Sequence, residues 1–366
     1  MATESLRSAL ESAGMPADVV SVAKAPLTGG RTGAAVVRLD ALFRDGVERS
    51  YVQKTLPRDT WRDAAMESTP GAEVALFESG ATRDLPEPLA PTMFAVDRGE
   101  DGAYRMWMHD VSAGIRPRGA FTDADERTLV EGVARLHAAY WDSPRLAELP
   151  LATMAGTTRI FAEPLVALAG GPAAVATSPA WVRSFLDEFA PMGVYLPRFL
   201  ELLGPDDADF FLHFVVERGW LRLLDDAPMT LVHGDLRRAN ISFGDDGTLR
   251  LIDWEFAARG PGATDLAWHW FLHFWAYPGD DRLPEEHDPL LDVYVAAVEA
   301  ALGRAIDRPL FDRTWDVAWL RALSQLGYCL ADPAVGDDVD SATIEAVRGR
   351  CTRAIARARR ALDAHV

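Results

Sequence analysis

The sequence predicts an α+β protein, with a small β-rich part followed by a larger, mostly helical one. Three observations predict it. Residues 19–57 hold three apolar, β-branched runs separated by glycine-bearing turns. Beyond about residue 111 the apolar residues take helical spacing. One stretch inside the helical part, "NISFGDDGTLRLIDW", returns to strand character around a "DDG" turn.

The elements follow in order. Residues 4–13 read as a short helix. "VVSVAKAPLTG", "AAVVRLDALF" and "RSYVQKTLP" read as strands, with "GGRTG" between the first two and "RDG" between the second and third. "GAEVALFESG" follows Pro70 and reads as a helix ending at Gly80. "PTMFAVD" and "AYRMWMHD" form a hairpin across "RGEDG". "ERTLVEGVARLHAAYW" puts Leu129, Val133, Leu136 and Tyr140 on one helical face. Most of 157–224 and 284–364 is helix broken by Pro and Gly, interrupted only by the hairpin around "DDG".

Composition narrows the function. The 366 residues are 49% hydrophobic and 25% charged, the proportions of a folded protein. A formal net charge of −18 argues against nucleic acid as a partner, because phosphate binding needs basic surface. Cys329 and Cys351 have no metal-like spacing. No basic segment followed by an apolar core opens the chain, and "DLAWHWFLHFWAY" is too short to span a bilayer. The expectation is a cytoplasmic protein without membrane attachment.

The chemistry concentrates in "LVHGDLRRANISFGDDGTLRLIDWE", residues 231–255. A hairpin turning at "DDG" returns Asp253 towards the start of its first strand, beside Asn240. Two oxygen-bearing side chains there suit Mg²⁺, a hard cation. Asp235 is left at the edge, able to orient a hydroxyl and accept its proton. Phosphoryl transfer calls for this set: His-x-Asp, then Asn, then a second Asp that holds metal. Lys54 lies on the third strand, where kinases place a lysine that contacts phosphates. Its partner should be a Glu on the next helix, with Glu73 the first choice and Glu67 the fallback. Gly29, Gly30, Arg31, Thr32 and Gly33 occupy the position of a phosphate-covering loop, although a plain hairpin turn reads the same.

"HGDLRRAN" followed by "LIDWE" resembles the aminoglycoside phosphotransferase and choline kinase group, including its ecdysteroid-kinase-like branch. The resemblance is specific over 231–266 and weaker over 26–111. It implies a protein-kinase-like two-lobe fold, with a nucleotide-binding N-lobe at 1–108. The C-lobe at 109–366 would then carry the catalytic loop, the acceptor site and a helical insert at about 157–224. It implies Asp235 as catalytic base, Asn240 and Asp253 as Mg²⁺ ligands, and His233 as support for the loop. Asp265 would brace that loop, and backbone around Met108, His109 and Val111 would meet the purine of ATP or GTP. The group often has His-Pro soon after the catalytic Asp. Here Arg237 and Arg238 stand there, and the sequence gives them no catalytic part.

Only eleven residues separate Asp253 from Asp265, and no APE motif follows, so a peptide platform is not expected. A small-molecule hydroxyl is the expected acceptor. Trp268, Trp270, Phe271, Phe274 and Trp275 suit either a ring-binding wall or helix core. The resemblance points to an antibiotic of aminoglycoside, macrolide or nucleoside type, with a choline- or homoserine-like metabolite as rival. A degenerate nucleotide-binding regulator and a metal-dependent hydrolase using His233 and Asp235 are the alternatives from other classes. The protein is expected as monomer or homodimer.

Overall fold

The computed structural model describes residues 2–27, 34–57, 60–68, 71–99, 102–116, 121–276, 288–325 and 341–365. The chain divides into two compact units. The first takes residues 1–60, 69–116 and 238–254, and the second takes 61–68, 117–237 and 255–366.

The first unit is built on a five-stranded antiparallel sheet. Its strands are β1 (Val19–Pro26), β2 (Ala35–Phe43), β3 (Glu48–Leu56), β4 (Met93–Arg98) and β5 (Tyr104–His109), in the order β1-β2-β3-β5-β4. Alternation sorts the side chains by face. Leu39, Ala41, Phe43, Tyr51 and Trp107 join Leu6 and Leu10 of helix α1 (Ala2–Ser12) in one buried cluster. Leu56, Met106 and Met108 form another, with Val74 and Phe77 of helix α3 (Ala72–Glu78). Gly46, at φ 82, makes the turn between β2 and β3 that "RDG" predicts.

Residues 238–254 join this unit through a hairpin. Strands β8 (Ile241–Phe243) and β9 (Leu249–Leu251) pair antiparallel around Gly247, at φ 82. Leu249 exchanges backbone hydrogen bonds with Pro88 and Ala90, both at 2.9 Å. Ser242 Oγ donates to the Val111 carbonyl at 2.8 Å. The hairpin is thus tied at both strands to segments flanking β4 and β5.

The second unit is helical. Helix α2 (Trp61–Met66) opens it, and helix α4 (Asp123–Ala139) begins at a capping box between Thr122 and Asp125. Leu129, Val133, Leu136 and Tyr140 are all buried, as their spacing predicts. Helices α5 (Met154–Ala169), α6 (Gly171–Thr177), α7 (Ala180–Glu188), α8 (Pro191–Leu203) and α9 (Pro205–Val216) follow, broken at Pro and Gly. Arg62 of α2 is buried and bridges Glu188 of α7 at 2.8 Å and Glu255 at 2.9 Å. The remaining helices are α10 (Ala263–Ala276), α11 (Asp288–Leu302), α12 (Arg308–Ser324) and α13 (Ser341–His365).

A small sheet inside this unit has no counterpart in the sequence reading. Strands β6 (Ala152–Thr153), β7 (Thr230–Val232) and β10 (Ala258–Gly260) run in the order β6-β10-β7. Strands of two or three residues are too short to show an alternating pattern. Cys351 is buried and free, and Cys329 lies outside the described residues. Among the described residues, no helix is long and apolar enough to cross a membrane.

Candidate active site

The candidate residues divide between the two units. In the first, Lys54 stands near the end of β3, opposite Val36 of β2 and Met106 of β5. Its Nζ donates to Glu73 Oε2 at 2.8 Å and to Asp253 Oδ1 at 2.6 Å. Lys54 and Glu73 are both buried, where a charge must be paired to be tolerated. The other Glu73 oxygen accepts from the Trp254 backbone N–H at 3.3 Å. Glu67, the fallback partner, instead binds Arg159 at 2.6 Å on the surface of the second unit. Glu67 follows the end of α2, whereas Glu73 lies in α3 and reaches Lys54.

The hairpin brings Asn240 and Asp253 to one place. Its register pairs Ile241 with Leu251, and the Ile252 N–H donates to the Asn240 carbonyl at 3.0 Å. Asp253 follows at φ 67, a left-handed conformation that costs a non-glycine residue about 1–2 kcal/mol and that Asn and Asp visit more readily than most. Both residues line a cavity of about 190 Å³. Val36, Val52, Met108, Ile115 and Ile252 make its walls apolar, and Lys54, Asn240 and Asp253 supply polar groups. His109, Asp110 and Val111 border it as well. Burial, helped by Arg250, pushes His109 below the ordinary imidazole range, so the ring is neutral at pH 7. Gly29, Gly30, Arg31, Thr32 and Gly33 lie outside the described residues.

An apolar slot with a charged end suits a nucleotide, whose base is flat and whose phosphates are anionic. The donor set also suits Mg²⁺. Among the described residues no three His, Cys, Asp or Glu side chains cluster as a metal cage. One carboxylate and one amide oxygen match an ion that completes its shell with water and phosphate.

In the second unit, β7 leads into His233, Gly234 and Asp235. Asp265, in the first turn of α10, accepts the backbone N–H of His233 at 2.7 Å and of Gly234 at 2.8 Å. His137 Nε2 lies 3.3 Å from the same carboxylate, and its Nδ1 lies 2.9 Å from the Tyr294 hydroxyl. Burial alone would raise the Asp265 carboxyl. The hydrogen bond and field of His137, with His233 and the Gly234 N–H, outweigh burial and hold it below the carboxylate range. Gly234 has φ +81, and a Cβ there would run into the Phe256 carbonyl oxygen. The glycine at the second position is therefore dictated by backbone. His233 is fully buried, and its Nδ1 accepts from the Asp235 N–H at 3.3 Å.

The Asp235 carboxylate has two donors that sequence reasoning did not find. Trp268 Nε1 donates to Oδ1 at 3.0 Å, and Arg237 Nε donates to Oδ2 at 2.9 Å. Trp268 stands one helical turn beyond Asp265, a spacing that could have singled it out from the aromatic run. His137 was equally legible as a polar residue next to the buried face of α4. His269, next to Trp268 on α10, lies 3.1 Å from the buried Glu126 carboxylate.

The sequence matches the model of the phosphotransferase enzyme family (APH) over residues 40–326. The chain belongs to that family. No curated protein matches it. Among solved structures, this phosphotransferase is similar to a choline kinase from Cryptosporidium parvum Iowa II, at 10% identity and a TM-score of 0.51. That match covers 99% of this chain and 97% of the other. It is also similar to the amicoumacin kinase hAmiN, solved with AMP-PNP, Ca²⁺ and Ami, at 14% identity and a TM-score of 0.49, covering 97% and 95% of the two chains. A type I macrolide 2'-phosphotransferase matches at 16% identity and a TM-score of 0.45, covering 95% and 96%. At 10% identity the likeness to the choline kinase speaks for the fold alone. The phosphotransferase is thus a protein-kinase-like α+β protein, as its sequence motifs imply.

Proposed function

We propose that this phosphotransferase moves the γ-phosphoryl group of ATP or GTP to a hydroxyl of a small molecule. The observation that carries the reading is the paired set Lys54–Glu73 and Lys54–Asp253 at the polar end of an apolar cavity. Lys54, oriented by Glu73, binds donor phosphate oxygens. Asn240 and Asp253 hold Mg²⁺, which when bound neutralises charge on the phosphates. Backbone at Met108, His109 and Val111 meets the purine. Asp235, on the loop braced by Asp265, orients the acceptor hydroxyl and takes its proton as the O–P bond forms. The nucleoside diphosphate leaves with the electron pair of the broken bond. Positioning and fixed charge supply most of such catalysis.

The acceptor we propose is an antibiotic of aminoglycoside, macrolide or nucleoside type, which rests on family resemblance. Choline and homoserine are the metabolic rivals. Incubating the protein with Mg²⁺, ATP or GTP and a panel of such compounds tests this by mass spectrometry. The expected result is one antibiotic carrying one added phosphate, and none when Asp235 is replaced by Asn. Phosphate on choline or homoserine alone would replace the antibiotic reading, and acceptor turnover without nucleotide would contradict phosphoryl transfer itself.

A further inference from the structure

The Asp235 carboxylate is gripped at both oxygens, and the grip is built from two directions. Trp268 reaches Oδ1 from helix α10 at 3.0 Å. Its indole is buried and stacks on Phe161 at 6.4 Å and on Phe271 at 6.1 Å, so the ring has little freedom to leave. Arg237 reaches Oδ2 from the same loop at 2.9 Å, using Nε, with its side chain 33% exposed. A carboxylate turns easily about its last torsion. One donor on each oxygen stops that rotation and still leaves lone pairs for a hydroxyl.

The same helix also fixes the loop beneath. Asp265, three residues before Trp268 and on the same face of α10, holds the backbone N–H groups of His233 and Gly234. One turn of α10 therefore sets both the path of the loop and the direction of the Asp235 side chain.

We propose that Trp268 and Arg237 are positioning residues that clamp Asp235 in the orientation needed to receive the acceptor proton. This rests on Asp235 being the base. Arg237 stands where the family often has His, so the clamp's second donor departs from that pattern. Neither residue binds donor phosphate in this proposal, and their effect belongs to turnover.

The test uses the full chain with Mg²⁺ and ATP, with water as acceptor and ADP release as the readout. Trp268→Phe keeps the ring and removes the N–H, and Arg237→Met keeps the stem and removes the donor. Each is expected to slow kcat about 10- to 100-fold, the scale of a misplaced catalytic group, with KM for ATP nearly unchanged. Arg237→Lys should recover part of the loss. Wild-type kcat in both variants, with Asp235→Asn silent, overturns the clamp and leaves the base assignment standing. A loss that appears in KM also overturns it. Turnover in Asp235→Asn removes the base assignment and the clamp together. If Trp268→Phe does not fold, the two variants at the partly exposed Arg237 decide. A second reading needs no turnover: the Trp268 indole N–H proton resonance, identified by its loss in Trp268→Phe, should move in Asp235→Asn. An unmoved resonance overturns the clamp.

Discussion

At the scale of single residues, Asp265 does the most for the catalytic loop while touching no reacting group in the proposed chemistry. Its two oxygens take the N–H groups of His233 and Gly234, and His137 stands beside it. Asp265→Asn keeps the shape but offers an NH₂ where one backbone donor needs an acceptor. Leaving a buried donor unsatisfied costs about 1–3 kcal/mol. The expected result is a lower melting temperature for the variant at pH 7. Acid adds a sign to the test. The folded carboxyl lies below its unfolded value, so on acidification the unfolded chain takes up the proton first. The stability from this charge is complete above the ordinary carboxylate range and drains as pH falls through the lower, folded value. Melts from pH 7 down to pH 3 should therefore show the gap between wild type and variant narrowing. Equal melting temperatures at pH 7, or a gap that widens in acid, would contradict the brace.

At the scale of elements, β3, α3 and the β8–β9 hairpin are joined by one lysine. Glu73→Gln removes the charge that orients Lys54 and weakens the acceptor of the Trp254 N–H. A charged hydrogen bond is worth roughly 1.5–3 kcal/mol, so nucleotide affinity should fall about tenfold or more. Fluorescence titration with a labelled ATP analogue measures this, and unchanged affinity would remove Glu73 from the donor site. These elements were legible because each carries a local signal. Alternation marked β3, Pro70 marked the start of α3, and "DDG" fixed the hairpin register that pairs Asn240 with Ile252. The β6-β10-β7 sheet was not legible, because strands of two or three residues are set by their neighbours and not by pattern. The grip of Trp268 and Arg237 on Asp235 was hidden for a related reason. A tryptophan in an aromatic run and an arginine in a polar loop have many possible partners, and only the fold chooses among them.

At the scale of the molecule, acids outnumber bases to a net charge of −18, and Lys54 and Arg237 are each paired with a carboxylate. "GPDDAD" illustrates the surface role of the acids: Asp207 pairs with Arg359 at 3.0 Å. The acceptor is the least legible property, since the helices that surround a small molecule follow packing rules shared by many acceptors. The proposed chemistry nevertheless divides the work between the units. In that proposal Lys54, Asn240 and Asp253 would hold the donor, and Asp235 would act on the acceptor. The most direct measurement is Asp235→Asn assayed in parallel for Mg-ATP binding and for phosphate transfer to the acceptor found by the panel. Binding close to wild type with transfer reduced at least 100-fold is the expected outcome, as removal of a general base requires. Transfer at the wild-type rate would contradict it.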